Sequence, residues 1–251
     1  MNNETKYNRV PTGIEGLDNL IQGGFIPGST IMLAGRSGTG KTLFGAQFIY
    51  TGAKVYGERG LYVTFEQRPE DIIADVKETF GWDLKELVES NLIKFLPIKV
   101  RTIYDPATKK RVMNTTVFDI TQKILHAIEE FKVKRVVIDP ATAIEIMFSE
   151  EPKYVIRTEL SLLSDRLRES HVTALLIAET GAEYLASPRK SEYIGFIVDA
   201  IIYLDFVPVA EEFKRTLTII KMRRTNHSTY IHPFFIKRGG IVVVEKIEQI
   251  R

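Results

Sequence analysis

Between the apolar run STIMLAG and the helical-period segment TLFGAQFIYTGAKVYGE lies GRSGTGKT, Gly35 to Thr42. No other stretch restricts the fold as tightly, because GxxxxGK[ST] works only where a strand feeds a tight loop into a helix N-terminus. In that setting the loop N–H groups and the helix end cradle phosphate oxygens, Lys41 reaches the β- and γ-phosphates, and the Thr42 hydroxyl is placed for Mg²⁺. Gly35, Ser37, Gly38, Thr39, Gly40, Lys41, Thr42 and Leu43 are therefore the candidate phosphate-binding positions. The alternative is a glycine-rich turn holding a chance lysine, and the strand before and helix after argue against it.

The remaining chain bounds this reading. With 251 residues, 44% of them hydrophobic, one domain spanning 1–251 is expected. The net charge of +2 exerts no general pull on nucleic acid. The absence of cysteine excludes disulfides, thiol catalysis and thiolate-bound metal. The opening MNNETKYNRVPTG has no apolar core of a leader, and no apolar run approaches the roughly 18 residues of a membrane span, so the cytoplasm is the default location. Charged residues at 26% without cysteine are a faint cue to an archaeal or thermophilic source.

Strand-like and helix-like segments alternate along most of the chain. A mobile arm over 1–10 precedes a short amphipathic helix that ends at Gly23-Gly24. LYVTF, KRVVID and VTALLIAE read as buried strands, and PEDIIADVKETFG, TVFDITQKILHAIEEFK and YVIRTELSLLSDRLRES read as helices. Such alternation predicts a mainly parallel α/β sheet covered on both faces. RTIYDPATKKRVMN reads as a hairpin inserted over 97–115, and the last third, four strand-like runs joined by short turns, as antiparallel hairpins on one sheet edge.

Asp139 ends KRVVI at the rim where such sheets gather their ligands, the position of a carboxylate that holds Mg²⁺ through water beside Thr42. A helix-capping role is its alternative. Glu66 follows LYVTF on the same rim; it either activates water or, with Asp71, complements the helix starting at Pro69. In TLTIIKMRRTNH, strand alternation sets Lys221 and Arg223 on one face. They serve either as edge protection by charge or as transition-state cations for a neighbouring subunit.

GIEGLDNLIQGGFIPGSTIMLAGRSGTGKTLFGAQFIY, VTFEQRPEDI, FGWDLKEL, RVVIDPATA and TIIKMRRTNH together resemble, in order and spacing, the KaiC-type branch of the RecA/RadA ATPases. The resemblance covers nearly the whole chain and implies a RecA-like P-loop fold. It implies ATP or ADP with Mg²⁺ as ligands, Lys41 and Thr42 on the phosphates and metal, Asp139 as the acid of the second motif and Glu66 as the catalytic carboxylate. It further implies that Lys221, Arg223 and His227 complete the site of an adjacent copy in a ring, by expectation a hexamer, or in a filament. From local residues alone, His227 in TNHST is a solvated turn histidine.

Two departures qualify these implications. The family's clock members carry paired glutamates where this chain has Glu66-Gln67, which implies altered or slower hydrolysis; the recombinase branch works with one. Where clock members bear a phosphorylated Ser-Thr pair this chain has Gly195 and Phe196, so that autophosphorylation is not expected. DNA contact, as in a recombinase paralogue, would rest on Arg189 and Lys190 in EYLASPRKSEY, which a solvated loop explains at least as well, or on Lys109, Lys110 and Arg111, a cluster that is more often a soluble hairpin tip than a binding site. The alternative function is a regulatory scaffold in which nucleotide drives assembly with negligible turnover.

Overall fold

Apolar runs bounded by turn residues become strands, and segments of helical period become helices on either side of them. The computed structural model describes residues 8–105, 110–149, 151–180 and 194–245. In chain order these form α1 (Leu17–Leu20), β1 (Thr30–Gly35), α2 (Lys41–Tyr56), β2 (Gly60–Thr64), α3 (Pro69–Phe80), α4 (Leu84–Glu89), β3 (Ile93–Pro97), β4 (Thr102–Asp105) and β5 (Lys110–Met113). There follow α5 (Val117–Phe131), β6 (Arg135–Asp139), α6 (Thr142–Met147), α7 (Lys153–Glu169), β7 (Thr173–Glu179), α8 (Ile194–Ile197), β8 (Ala200–Val209), β9 (Glu212–Met222), β10 (Ile231–Lys237) and β11 (Gly240–Val243).

The main sheet has the order β11-β10-β9-β8-β1-β7-β6-β2-β3. From β8 to β3 all pairings are parallel; β9, β10 and β11 extend the β8 edge antiparallel. The inner parallel strands β1, β2, β6 and β7 are buried on both faces, which is why they read as nearly continuous apolar runs. Leu33, Tyr62, Val137 and Ile177 pack with α2, α3 and α4 on one face, while Met32, Val63, Ile138 and Leu176 pack with α5 and α7 on the other.

Local sequence explains the element ends. Pro69 starts α3 at its first position and Gly81, at φ 79°, stops it in the left-handed region that favours glycine. Thr116 and Asp119 bond reciprocally at the start of α5 as a capping box. The apolar stripe expected at 117, 120, 124, 128 and 131 of α5 faces inward, with Val117, Ile120, Ile124 and Ile128 buried and Phe131 at its end partly so.

Two regions differ from expectation. The arm expected over 1–10 is anchored at its end, because Val10 and Phe25 exchange backbone hydrogen bonds of 2.8 and 2.9 Å and Arg9 donates to Thr225 Oγ1 at 2.8 Å. Residues 1–7 lie outside the described residues. Of the hairpin expected over 97–115, Pro97 closes β3, which is the outer strand of the main sheet, and β4 and β5 form a separate two-stranded sheet. Its tip, with Lys109, and the loop bearing Arg189 and Lys190 lie outside the described residues. Among the described residues, no helix is long and apolar enough to cross a membrane.

Candidate functional site

At the end of β1 the backbone is crowded. A Cβ on Gly35 would lie 2.4 Å from the Leu204 carbonyl oxygen of β8, so only glycine permits that approach. Arg36 turns outward and is tied to β8: its guanidinium pairs with Asp205 at 2.7 Å and donates to Phe206 O at 2.6 Å. The Arg36 carbonyl points the other way and accepts from Thr39 Oγ1 and Lys41 Nζ, both at 2.8 Å. Gly40, at φ 103°, then admits the chain into α2, with Ile236 of β10 packed where a side chain would stand. The loop N–H groups and the N-terminus of a 16-residue helix thus converge on one concavity.

Asp139 closes the opposite side. Its Oδ2 accepts from Thr42 Oγ1 at 2.8 Å and from Tyr62 O–H at 2.6 Å. Burial raises the Asp139 carboxyl above its ordinary range, although the hydrogen bonds from Tyr62 and Thr42 and the charge of Lys41 favour the carboxylate. Tyr62 is fully enclosed, and burial followed by the adjacent Asp139 charge holds its phenol well above the ordinary value. Burial lowers Lys41, opposed by Glu179 and Asp139.

Glu66 lies just beyond β2 and lines a cleft of about 360 Å³ together with Ser37, Gly38, Gly40, Lys41, Thr42, Leu43, Thr64, Gln67, Asp139, Pro140 and Glu179. The turn is folded by Thr64 Oγ1, which donates to Gln67 O at 2.6 Å. The start of α3 is served by Asp71, held in a fork by Arg68 at 2.8 and 2.9 Å, so Glu66 is left to face the cleft. Burial raises the Glu66 carboxyl, reinforced by the charges of Glu179 and Asp139.

The cleft is therefore lined by three carboxylates and one ammonium, a balance that suits a divalent cation. No group of three or more acidic, histidine or cysteine side chains stands ready as a metal cage among the described residues. What the chain offers is a hydroxyl and a carboxylate, hard oxygens that fit Mg²⁺ completed by phosphate oxygens and water. Sequence reasoning missed Glu179 and Tyr62. Glu179 pairs in register with Gly35 and lies 3.9 Å from Lys41 Nζ. Its signal was present, since VTALLIAE ends on an acid just as KRVVID does.

Lys221, Arg223 and His227 are elsewhere. Strand β9 runs antiparallel to β8, and Met222 pairs with Ala200 whereas Leu204 pairs with Gly35, so the end of β9, which carries Lys221 and leads into Arg223 and His227, lies at the opposite end of the sheet from the phosphate loop. Lys221 Nζ donates to Val198 O at 2.7 Å, Arg223 Nη1 lies 3.7 Å from Asp199 Oδ1, and His227 Nδ1 is 2.9 Å from Ser228 O. A bulge opposite Ile201 and Ile202 interrupts the alternation just before Lys221. A single chain does not bring these three residues to its own cleft.

The profile of the family described as "ATPase: KaiC" matches residues 10–248. The chain belongs to the KaiC family. It is 37% identical over 230 residues to the circadian clock oscillator protein KaiC of Parathermosynechococcus lividus, covering 92% of this chain and 41% of that protein. With the circadian clock protein KaiC2 of a Synechocystis strain the identity is 34% over 240 residues, covering 94% and 40%. The chain thus spans less than half the length of these curated KaiC relatives. A crystal structure of a KaiC-like protein from the hyperthermophilic archaeon Pyrococcus horikoshii superposes with a TM-score of 0.79 at 35% identity, covering 95% of this chain and 99% of that one. The parallel sheet with C-terminal antiparallel hairpins is accordingly the RecA-like fold of the KaiC family.

Proposed function

We propose that this KaiC-family chain is an Mg²⁺-dependent ATPase that assembles with copies of itself in a ring or filament, each nucleotide lying between two subunits. The observation that carries the reading is the 2.8 Å hydrogen bond from Thr42 Oγ1 to Asp139 Oδ2 beside Lys41, in a cleft that Glu66 also lines. The loop N–H groups and Lys41 hold the β- and γ-phosphates, and Thr42 with Asp139 holds Mg²⁺, which when bound neutralises charge developing on the transferred phosphoryl group. Glu66 orients the attacking water and takes its proton. Lys221, Arg223 and His227 serve the adjacent subunit's nucleotide, consistent with their distance from the chain's own cleft. A recombinase-like role would add DNA contact by Arg189 and Lys190.

One observation favours a second reading, a nucleotide-driven scaffold with little turnover: Gln67 lines the cleft where a second acid would otherwise stand. Steady-state ATP hydrolysis of the wild type beside Glu66→Gln, with oligomeric state recorded with and without ATP, separates the two. The ATPase reading expects Glu66→Gln to be slower by about 10²–10⁴. A wild type that turns over no faster than Glu66→Gln would sink this ATPase reading, and negligible turnover in both proteins with nucleotide-driven assembly retained would favour the scaffold.

A further inference from the structure

The two cations at the end of β9 are held by two successive residues, Val198 and Asp199. Lys221 Nζ donates to Val198 O, and the next residue, Asp199, engages Arg223 twice. Arg223 N donates to Asp199 O at 2.9 Å, and the guanidinium lies 3.7 Å from Asp199 Oδ1. Asp199 is itself fixed. It is 5% exposed, and its Oδ2 accepts from Thr30 N and from Arg168 Nη2, each at 3.1 Å. Asp199 N also donates to Thr30 O at 2.8 Å. Thr30 opens β1 and Arg168 lies in the last turn of α7, so the carboxylate is anchored on two packed elements.

The Arg223 side chain remains 53% exposed. Thr30 and Arg168 already satisfy Asp199 as a local structural acid, and Arg223 is held in addition to them. A separation of 3.7 Å is an ion pair rather than a hydrogen bond, so the guanidinium is biased in direction while its N–H groups stay free to meet another anion. Holding a long, rotor-rich cation near its working geometry before assembly reduces the ordering that binding would otherwise demand.

We propose that Asp199 is the positioning residue for Arg223, presenting the guanidinium to the nucleotide of an adjacent subunit. This rests on the shared-site reading given above. Asp199→Asn retains the shape and an acceptor for Thr30 N–H but removes the charge that holds Arg223. The full-length variant is expected to lose about 10- to 100-fold in kcat. Its KM for ATP stays within about threefold of the wild type, because the phosphate loop of each chain is untouched.

The decisive readout is where the defect is felt. When Asp199→Asn chains are co-assembled with Glu66→Gln chains, some junctions combine a sound Glu66 from the first with an Arg223 held by the intact Asp199 of the second. Turnover should recover well above either variant alone. Failure to recover, while Arg223→Ala mixed with Glu66→Gln does recover, would show that Asp199 acts on its own chain's site and would overturn the proposal. No recovery in either mixture despite demonstrated co-assembly would instead remove the shared site itself. If Asp199→Asn folds poorly, Arg168→Gln/Asp199→Asn, which removes the facing cation as well, is assayed in the same mixture with the same recovery expected. Wild-type kcat in either folded variant would also refute the assignment.

Discussion

Glu179 Oε1 lies 3.9 Å from Lys41 Nζ, at the mouth of the cleft and in register with Gly35. A carboxylate there competes with incoming phosphate for the ammonium and adds like charge beside a polyanion. The Glu179 side chain is 51% exposed, so solvent screening keeps the effect modest. Glu179→Gln is expected to tighten binding of a non-hydrolysable ATP analogue by about three- to tenfold, an affinity change of the size that one partly screened charge produces. Calorimetric titration at low, fixed salt measures it; a weaker affinity would mean that Glu179 supports binding through Lys41.

On the proposed ATPase reading, with Glu66 as the base, the acidic limb of the rate profile follows from Glu66. Burial, then Glu179 and Asp139, raise its carboxyl above the ordinary 4.5. The base is active when deprotonated, so kcat/KM falls as pH drops through this raised value and is full above it. In Glu179→Gln one of the raising charges is gone, and the limb should move to lower pH. A limb that stays in place would assign the titration to another group.

Tyr62 donates to the same Asp139 oxygen that Thr42 does, from within the core. Partners of this kind orient a metal-binding carboxylate and are commonly worth 10- to 100-fold in metal affinity. Tyr62→Phe should therefore raise the Mg²⁺ concentration needed for half-maximal hydrolysis by about tenfold, with the rate restored at high Mg²⁺. A lower rate that no Mg²⁺ concentration restores would place the defect elsewhere.

Stability has its own buried charge. The Arg135 side chain is 1% exposed, pairs with Glu58 at 2.6 Å, and donates to Pro11 O and Phe48 O. Glu58→Ala strands that guanidinium and should cost about 1–3 kcal/mol, less than for a fully buried pair because the Glu58 side chain is 32% exposed. Urea unfolding reads the loss, and kcat of the folded fraction should be unchanged.

Much of this site was legible before any coordinates. GRSGTGKT, the acid ending KRVVID and the acid following LYVTF each carry their position in local pattern, because a strand that ends on a polar residue declares its rim. The roles of Glu179 and Tyr62 depend on strand order. Only when β7 lies between β1 and β6 does its last residue stand beside Lys41, and only when β2 neighbours β6 does the Tyr62 hydroxyl reach Asp139. Periodicity specifies elements, not their neighbours. The anchored Val10 was hidden for the same reason, since its partner, Phe25, follows an intervening helix.

The interposed β7 has a mechanical consequence. The phosphate loop hangs from β1 and Asp139 from β6, which stand two strand spacings apart, about 9.5 Å. Thr42 Oγ1 spans that gap by its bond to Asp139. The separation of the loop after β1 from Asp139 is thus set by the width of an intervening strand, and a change in sheet twist would alter it directly. Strain entering at either edge of the sheet has a gauge at its centre.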